Sequence, residues 1–119
     1  MGITSASSIN LDYLRLMADN DDEMIQTMLA MLLEELPEEI GKIRAMCEAG
    51  NWAELTRVSH KMKSTLAFVG NDEMTSANKE LERITKYKTE LKFAPSLVAV
   101  LDAHLPRVMN ALQKEVNQG

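Results

Sequence analysis

The sequence predicts an all-α protein, an antiparallel up-down four-helix bundle with a short extra helix on its N-terminal side. Apolar residues recur at intervals of three and four along four long segments. Val and Ile fall at this helical spacing rather than in alternation, and aromatic residues make up only 4% of the chain. The punctuation between segments is brief, Gly50-Asn51 and Gly70-Asn71. Connections that short force consecutive helices to run antiparallel.

Residues 1–9 are small and polar and read as a flexible lead-in, which leaves 10–119 as one domain. Asn10 offers an N-cap to a first helix over 11–17, with Leu11, Leu14 and Met17 on a common face. Asn20-Asp21-Asp22-Glu23 opens the second helix, because carboxylates in a first turn suit the positive end of the helix dipole. That helix spans 21–47 and carries Met24, Ile25, Met28, Leu29, Met31, Leu32, Leu33, Leu36, Ile40, Ile43 and Met46, more than one apolar stripe. Such a helix is either buried on several sides or partly turned toward a partner. Pro37 should kink it, and Glu38-Glu39 would equally suit a fresh first turn. Cys47 continues the apolar register as a buried thiol.

Gly50 ends this helix, and Asn51 with Glu54 forms a capping-box variant that opens the third, whose stripe is Leu55, Val58, Met62, Leu66 and Val69. Gly70 stops it and Asn71-Asp72-Glu73 starts a fourth, striped by Met74, Ala77, Leu81 and Ile84 and ending near Tyr87 or Leu91. Phe93-Ala94-Pro95-Ser96 marks the turn into a last helix with Val98, Leu101, Leu105, Val108, Leu112 and Val116, bent at Pro106. His104 flanks that stripe without a motif around it.

The third helix holds the chemistry. At about 100° per residue, His60 lies roughly 140° from the centre of the apolar stripe, so a helix docked by that stripe holds the imidazole in solvent. Lys63 and Ser64 stand one turn further on. Imidazole is a nucleophile at neutral pH, and a neighbouring ammonium can stabilise an anionic group placed on it, phosphate above all. Thr56, Ser64, Ala67 and Phe68 fall on the same side in projection.

The string His60-Lys61-Met62-Lys63-Ser64-Thr65, with Gly70 ten residues after the histidine, resembles the histidine-containing phosphotransfer (HPt) domains of multistep phosphorelays. That family's motif is His-x-x-Lys-small-Ser/Ala/Thr followed by this Gly; most members have Gly where Ser64 stands. The resemblance implies a helical bundle and a phosphocarrier without a kinase activity of its own. It implies that His60 accepts a phosphoryl group from a receiver-domain aspartate and passes it to another receiver, on a response regulator or a hybrid sensor kinase. It implies that Lys63, with Arg57 and Lys61, stabilises the phosphorylated state, and that Mg²⁺ resides on the receiver, with no cofactor on this chain. Ser64 would stand beside the docking partner; Phe68, on the His60 side of the helix in projection, is either an isolated surface ring or part of the docking patch.

The rest of the sequence bounds this reading. A net charge of −5 speaks against nucleic acid, which requires a basic face. No apolar run reaches the ~18 residues that span a bilayer, and Ala6 stands where a myristoylation signal needs Ser or Thr. A cytoplasmic monomer is expected. One cysteine allows no internal disulfide and no thiolate zinc site. There is no Gly-rich phosphate loop, no His-Glu-x-x-His and no Glu-x-x-His pair. The rival reading is a helical adaptor that uses its Met-rich second helix to bind; it has no need of His and Lys at this spacing.

Overall fold

A computed structural model describes residues 8–118, with side chains described through 116. Those residues form α1 (Asp12–Met17), α2 (Asp22–Ala49), α3 (Trp52–Val69), α4 (Asp72–Tyr87), a short 3₁₀ turn (Leu91–Phe93) and α5 (Ala94–Gln118). In the closed bundle, α2 packs on α3 and α5, and α4 packs on the same two. The short α1 lies across α3 and α2. The long dimension of 42 Å is the length of α2, whose 28 residues at about 1.5 Å each span the whole molecule. Among the described residues no helix is long and apolar enough to cross a membrane.

The predicted stripes become the core. Leu55, Val58, Met62, Leu66 and Val69 of α3 are buried with Met74, Ala77, Leu81 and Ile84 of α4. Val98, Leu101, Val108 and Leu112 join them from α5, while Leu105 and Val116 pack half-buried at the edge. Asp21 caps α2 by accepting from the backbone N–H groups of Glu23 and Met24. Asn51 and Asn71 accept from Glu54 N–H at 3.3 Å and Met74 N–H at 2.9 Å. The box at Asn51 is only half closed, because the Glu54 carboxylate turns to Arg57 instead of the Asn51 N–H.

Several expectations are corrected. Met17 does not share the buried face of α1; it is exposed, and Ala18 takes the buried place as the helix ends. Asn10 accepts from Asp12 N–H, but Leu11 occupies the cap position. No fresh helix begins at Glu38-Glu39: α2 runs through Pro37 as one element. The proline costs about 3 kcal/mol. Leu36, Ile40 and Ile43 are fully buried around it, each contributing about 1.5–3 kcal/mol, so packing outweighs the lost bond. α5 likewise continues through Pro106. The turn before α5 comes earlier than Phe93–Ser96, at Lys88 and Glu90, both with positive φ. Ala94 is already helical and buried, and Pro95 sits in the first turn, where a missing N–H costs nothing. Cys47 is half-buried rather than buried, and desolvation still pushes its thiol up. Of the predicted lead-in, residues 1–7 lie outside the described residues; Ser8 accepts from Asn71 Nδ2 at 2.9 Å, and Ile9 packs on the core.

Candidate functional site

Because the apolar stripe of α3 faces inward, His60 faces out near the middle of the helix, with 67% of its side chain exposed. The neighbouring α4 fixes its orientation. Glu82 Oε2 lies 2.7 Å from His60 Nδ1, and the other carboxylate oxygen lies 3.8 Å from Lys63 Nζ. A single, largely covered carboxylate, 17% exposed, thus ties together the two residues singled out in the sequence. An ionised carboxylate only accepts, so the contact places the ring proton on Nδ1 and leaves a lone pair on Nε2. Among the described residues no hydrogen bond engages Nε2.

Two further contacts hold α3 against α4 at this level. Ser59 Oγ donates to Asn78 Oδ1 at 2.6 Å while Asn78 Nδ2 donates to the Ser59 carbonyl at 3.0 Å, a reciprocal pair with both side chains buried. Thr56 Oγ1 donates to Thr85 Oγ1 at 2.8 Å, and the Thr85 hydroxyl in turn donates to the Leu81 carbonyl at 2.8 Å. Buried polar groups satisfied in this way lock register and rotamer. Sequence reasoning missed Glu82, Asn78 and Thr85. A signal existed: Asn78, Glu82 and Thr85 form a polar stripe at spacings of four and three beside the apolar one.

The other expected residues divide. Arg57 is exposed but engaged by Glu54, which accepts from its Nε at 3.0 Å; the guanidinium holds that carboxyl below the usual range. Lys61 is exposed on the opposite flank of α3, where its charge acts on Glu39 of α2. Ser64 is exposed one turn beyond His60 and lines a cleft of about 220 Å³ with Met28, Met31, Leu32 and Phe68. Phe68 is not an isolated surface ring: it is half-buried and stacks on Tyr13 of α1, with centroids 5.3 Å apart and planes inclined by 24°. Ala67 is exposed. His104 is half-buried beside Arg107 and Glu73, well away from His60 in the contacts it makes.

Gly70 has two reasons to be glycine. Its φ is +72°, and a Cβ there would stand 2.1 Å from the Asn10 carbonyl oxygen. The chain ahead of α1 crosses the end of α3 at this point, with Asn10 N–H donating to the Val69 carbonyl.

The fold is similar to that of two solved structures. One is the HPt domain of a sensor hybrid histidine kinase from Shewanella, with a TM-score of 0.78 and 24% identity over 95% of this chain and 97% of that one. The other is histidine-containing phosphotransfer protein B of Pseudomonas aeruginosa, with a TM-score of 0.84 and 20% identity over 97% of this chain and 99% of that one. At these identities the likeness speaks for the fold. Among curated proteins none matches the sequence closely. The family model of the Hpt domain matches residues 27–115, an interval that contains α3 and α4 whole together with His60, Lys63, Gly70 and Glu82. An exposed imidazole held by a carboxylate on a four-helix bundle, inside a match covering well over half of the sequence, establishes that the chain belongs to the Hpt domain family, the histidine phosphotransfer domains of phosphorelay signalling.

Proposed function

We propose that His60 is the phosphoryl acceptor of this Hpt domain and that its Nε2 is the attacking atom. The observation that carries the reading is the 2.7 Å contact between Nδ1 and Glu82 on an otherwise exposed ring. Nε2 attacks phosphorus in a receiver's aspartyl phosphate; the N–P bond forms as the P–O bond to the aspartate breaks and the carboxylate leaves. The ring then carries positive charge with its proton still on Nδ1, and Glu82 compensates that charge. Transfer to a second receiver reverses the sequence. Phosphoryl transfer requires positioning and charge stabilisation above all, so a fixed imidazole is sufficient equipment on this side of the complex.

Lys63 lies one turn from His60 and stabilises the added anion, whereas Arg57, engaged by Glu54, and Lys61, on the flank of α3 that faces Glu39, contribute only long-range positive charge. Ser64 keeps the approach open and, with Phe68 and the cleft they share, flanks the partner. Hpt domains work with receiver domains; Mg²⁺ belongs to that partner in this reading, and this chain acts as a cytoplasmic monomer.

Mixing the chain with phosphorylated receivers should yield an acid-labile, base-stable label. His60→Gln should abolish it and His104→Gln should leave it intact. A label that survives the first substitution would refute the assignment.

A further inference from the structure

One turn beyond the imidazole, Ser64 opens the cleft of about 220 Å³ between α3 and α2. Met28, Met31 and Leu32 line it from α2 and Phe68 from α3, and Met31 is 50% exposed. Beside Thr65 this apolar lining is interrupted by a carboxylate, that of Glu35. Met28, Met31, Glu35 and Glu39 follow one another on α2 at spacings of three and four, so acids continue the methionine row on the same face of the helix.

Glu35 is the acid of this row that no cation of the chain claims. Lys42 pairs with Glu38 at 3.9 Å, and the charge of Lys61 acts on Glu39, which is buried and hydrogen-bonded with Thr65. Glu35 is half-buried and forms no ion pair or hydrogen bond among the described residues. Its own charge acts unfavourably on Glu39 one turn away. A carboxylate partly withdrawn from water beside methionine side chains loses hydration without gaining a partner, and a cation brought to it supplies one. The cleft has room for one long side chain and not for a helix. Methionine walls adapt to an aliphatic stem, and lysine and arginine bury such stems while keeping the charged end at a polar site.

We propose that this cleft is a subsite for a lysine or arginine side chain of the docking receiver, its methylenes against Met28, Met31 and Phe68 and its cationic end on the Glu35 carboxylate. The proposal rests on a receiver docking over His60. Glu35 then discriminates among receivers. One that presents a cation at this point gains an ion pair where docking excludes water, and one that presents a carboxylate there meets repulsion.

Phosphoramidate, a small donor that needs no docking, labels the full chain and its variants first, so that fold and acceptor are read without a receiver. A panel of receiver domains phosphorylated with acetyl phosphate is then the probe, and the maximal rate and half-saturating concentration of transfer are measured for the fastest of them. Glu35→Gln should raise the half-saturating concentration about two- to five-fold, the range of a charge pair near the surface. The maximal rate should change little, since the lost contact is the same before and during transfer. Glu35→Lys should raise that concentration about ten-fold or more, and a Lys→Glu or Arg→Glu change in the receiver should restore transfer to this variant. High salt should shrink the effect of Glu35→Gln and leave that of Met31→Ala, which removes only apolar contact. A half-saturating concentration for Glu35→Lys equal to the parent's would overturn the proposal; if Met31→Ala were impaired all the same, an apolar side chain would be the occupant and docking would stand. A label retained by His60→Gln, or a panel in which no receiver transfers to the parent, would overturn the functional reading and the proposal with it.

Discussion

At the scale of single residues, the side chain that changes the picture is Glu82. In sequence it is one of several acidic residues on α4; in space it holds His60 and Lys63 at once. Removing a carboxylate that orients a reacting imidazole leaves the ring free to rotate and to exchange tautomers. Glu82→Ala should therefore slow phosphoryl transfer about ten-fold or more, with little change in melting temperature, because its partners are exposed. Glu82→Gln, which still offers an oxygen to Nδ1–H, should recover part of the rate. Single-turnover transfer kinetics beside thermal unfolding of the same variants would check both, and an unaltered rate in Glu82→Ala would show the contact to be incidental.

At the scale of elements, the glycines that end α2 and α3 look alike and do different work. Gly50 has φ +69° with nothing near the position of an added Cβ, whereas Gly70 has φ +72° with the Asn10 carbonyl in the way. Gly50→Ala should cost only the left-handed backbone term, about 1–2 kcal/mol. Gly70→Ala carries the same term and also displaces the segment leading into α1, whose Leu11 and Leu14 are core residues. It should lower the unfolding free energy by about 2 kcal/mol more than Gly50→Ala, roughly one buried leucine's worth of packing. Urea unfolding of the pair would measure the difference. Loosening α1 also withdraws Tyr13 from Phe68, so the same substitution should alter the cleft beside Ser64.

At the scale of the whole molecule, one buried acid couples pH to the bundle. Glu39 lies between α2 and α3, 4% exposed, with Oε1 lacking a hydrogen-bond partner among the described residues. Burial raises its pKa above the ordinary carboxyl range, and Glu35 adds to this; a hydrogen bond with Thr65 and the charges of Lys61 and Lys42 oppose it. Between the unfolded pKa of about 4.3 and the raised folded value, the native state holds a proton that the unfolded chain has released. The favourable contribution is complete below the unfolded pKa and is lost as pH rises through the folded one. Glu39→Gln keeps the shape and removes the titration. Its stability relative to the parent should rise from pH 4 to pH 7, as read from urea midpoints across that range; a flat difference would mean that Glu39 titrates alike in both states. Exposed carboxyls such as Glu54 and Glu80, lowered by Arg57 and Arg83, shift stability the other way, but they are common to both proteins and cancel.

The sequence by itself determined the helices, the faces they bury and the outward position of His60. Those features are local: periodicity over one to five turns sets which face is apolar, and a cap lies within three residues of what it caps. It also carried the family, through His60, Lys63 and Gly70. Only the tertiary structure decided what surrounds the imidazole. Glu82, Asn78 and Thr85 reach α3 from another helix, and their meeting depends on register and rotation between α3 and α4, which no pattern within either helix fixes. The same holds for Glu39, read as a first-turn carboxylate and found in the core. A polar residue on a helix is the same in sequence whether water or a neighbour's side chain satisfies it, and packing makes that choice.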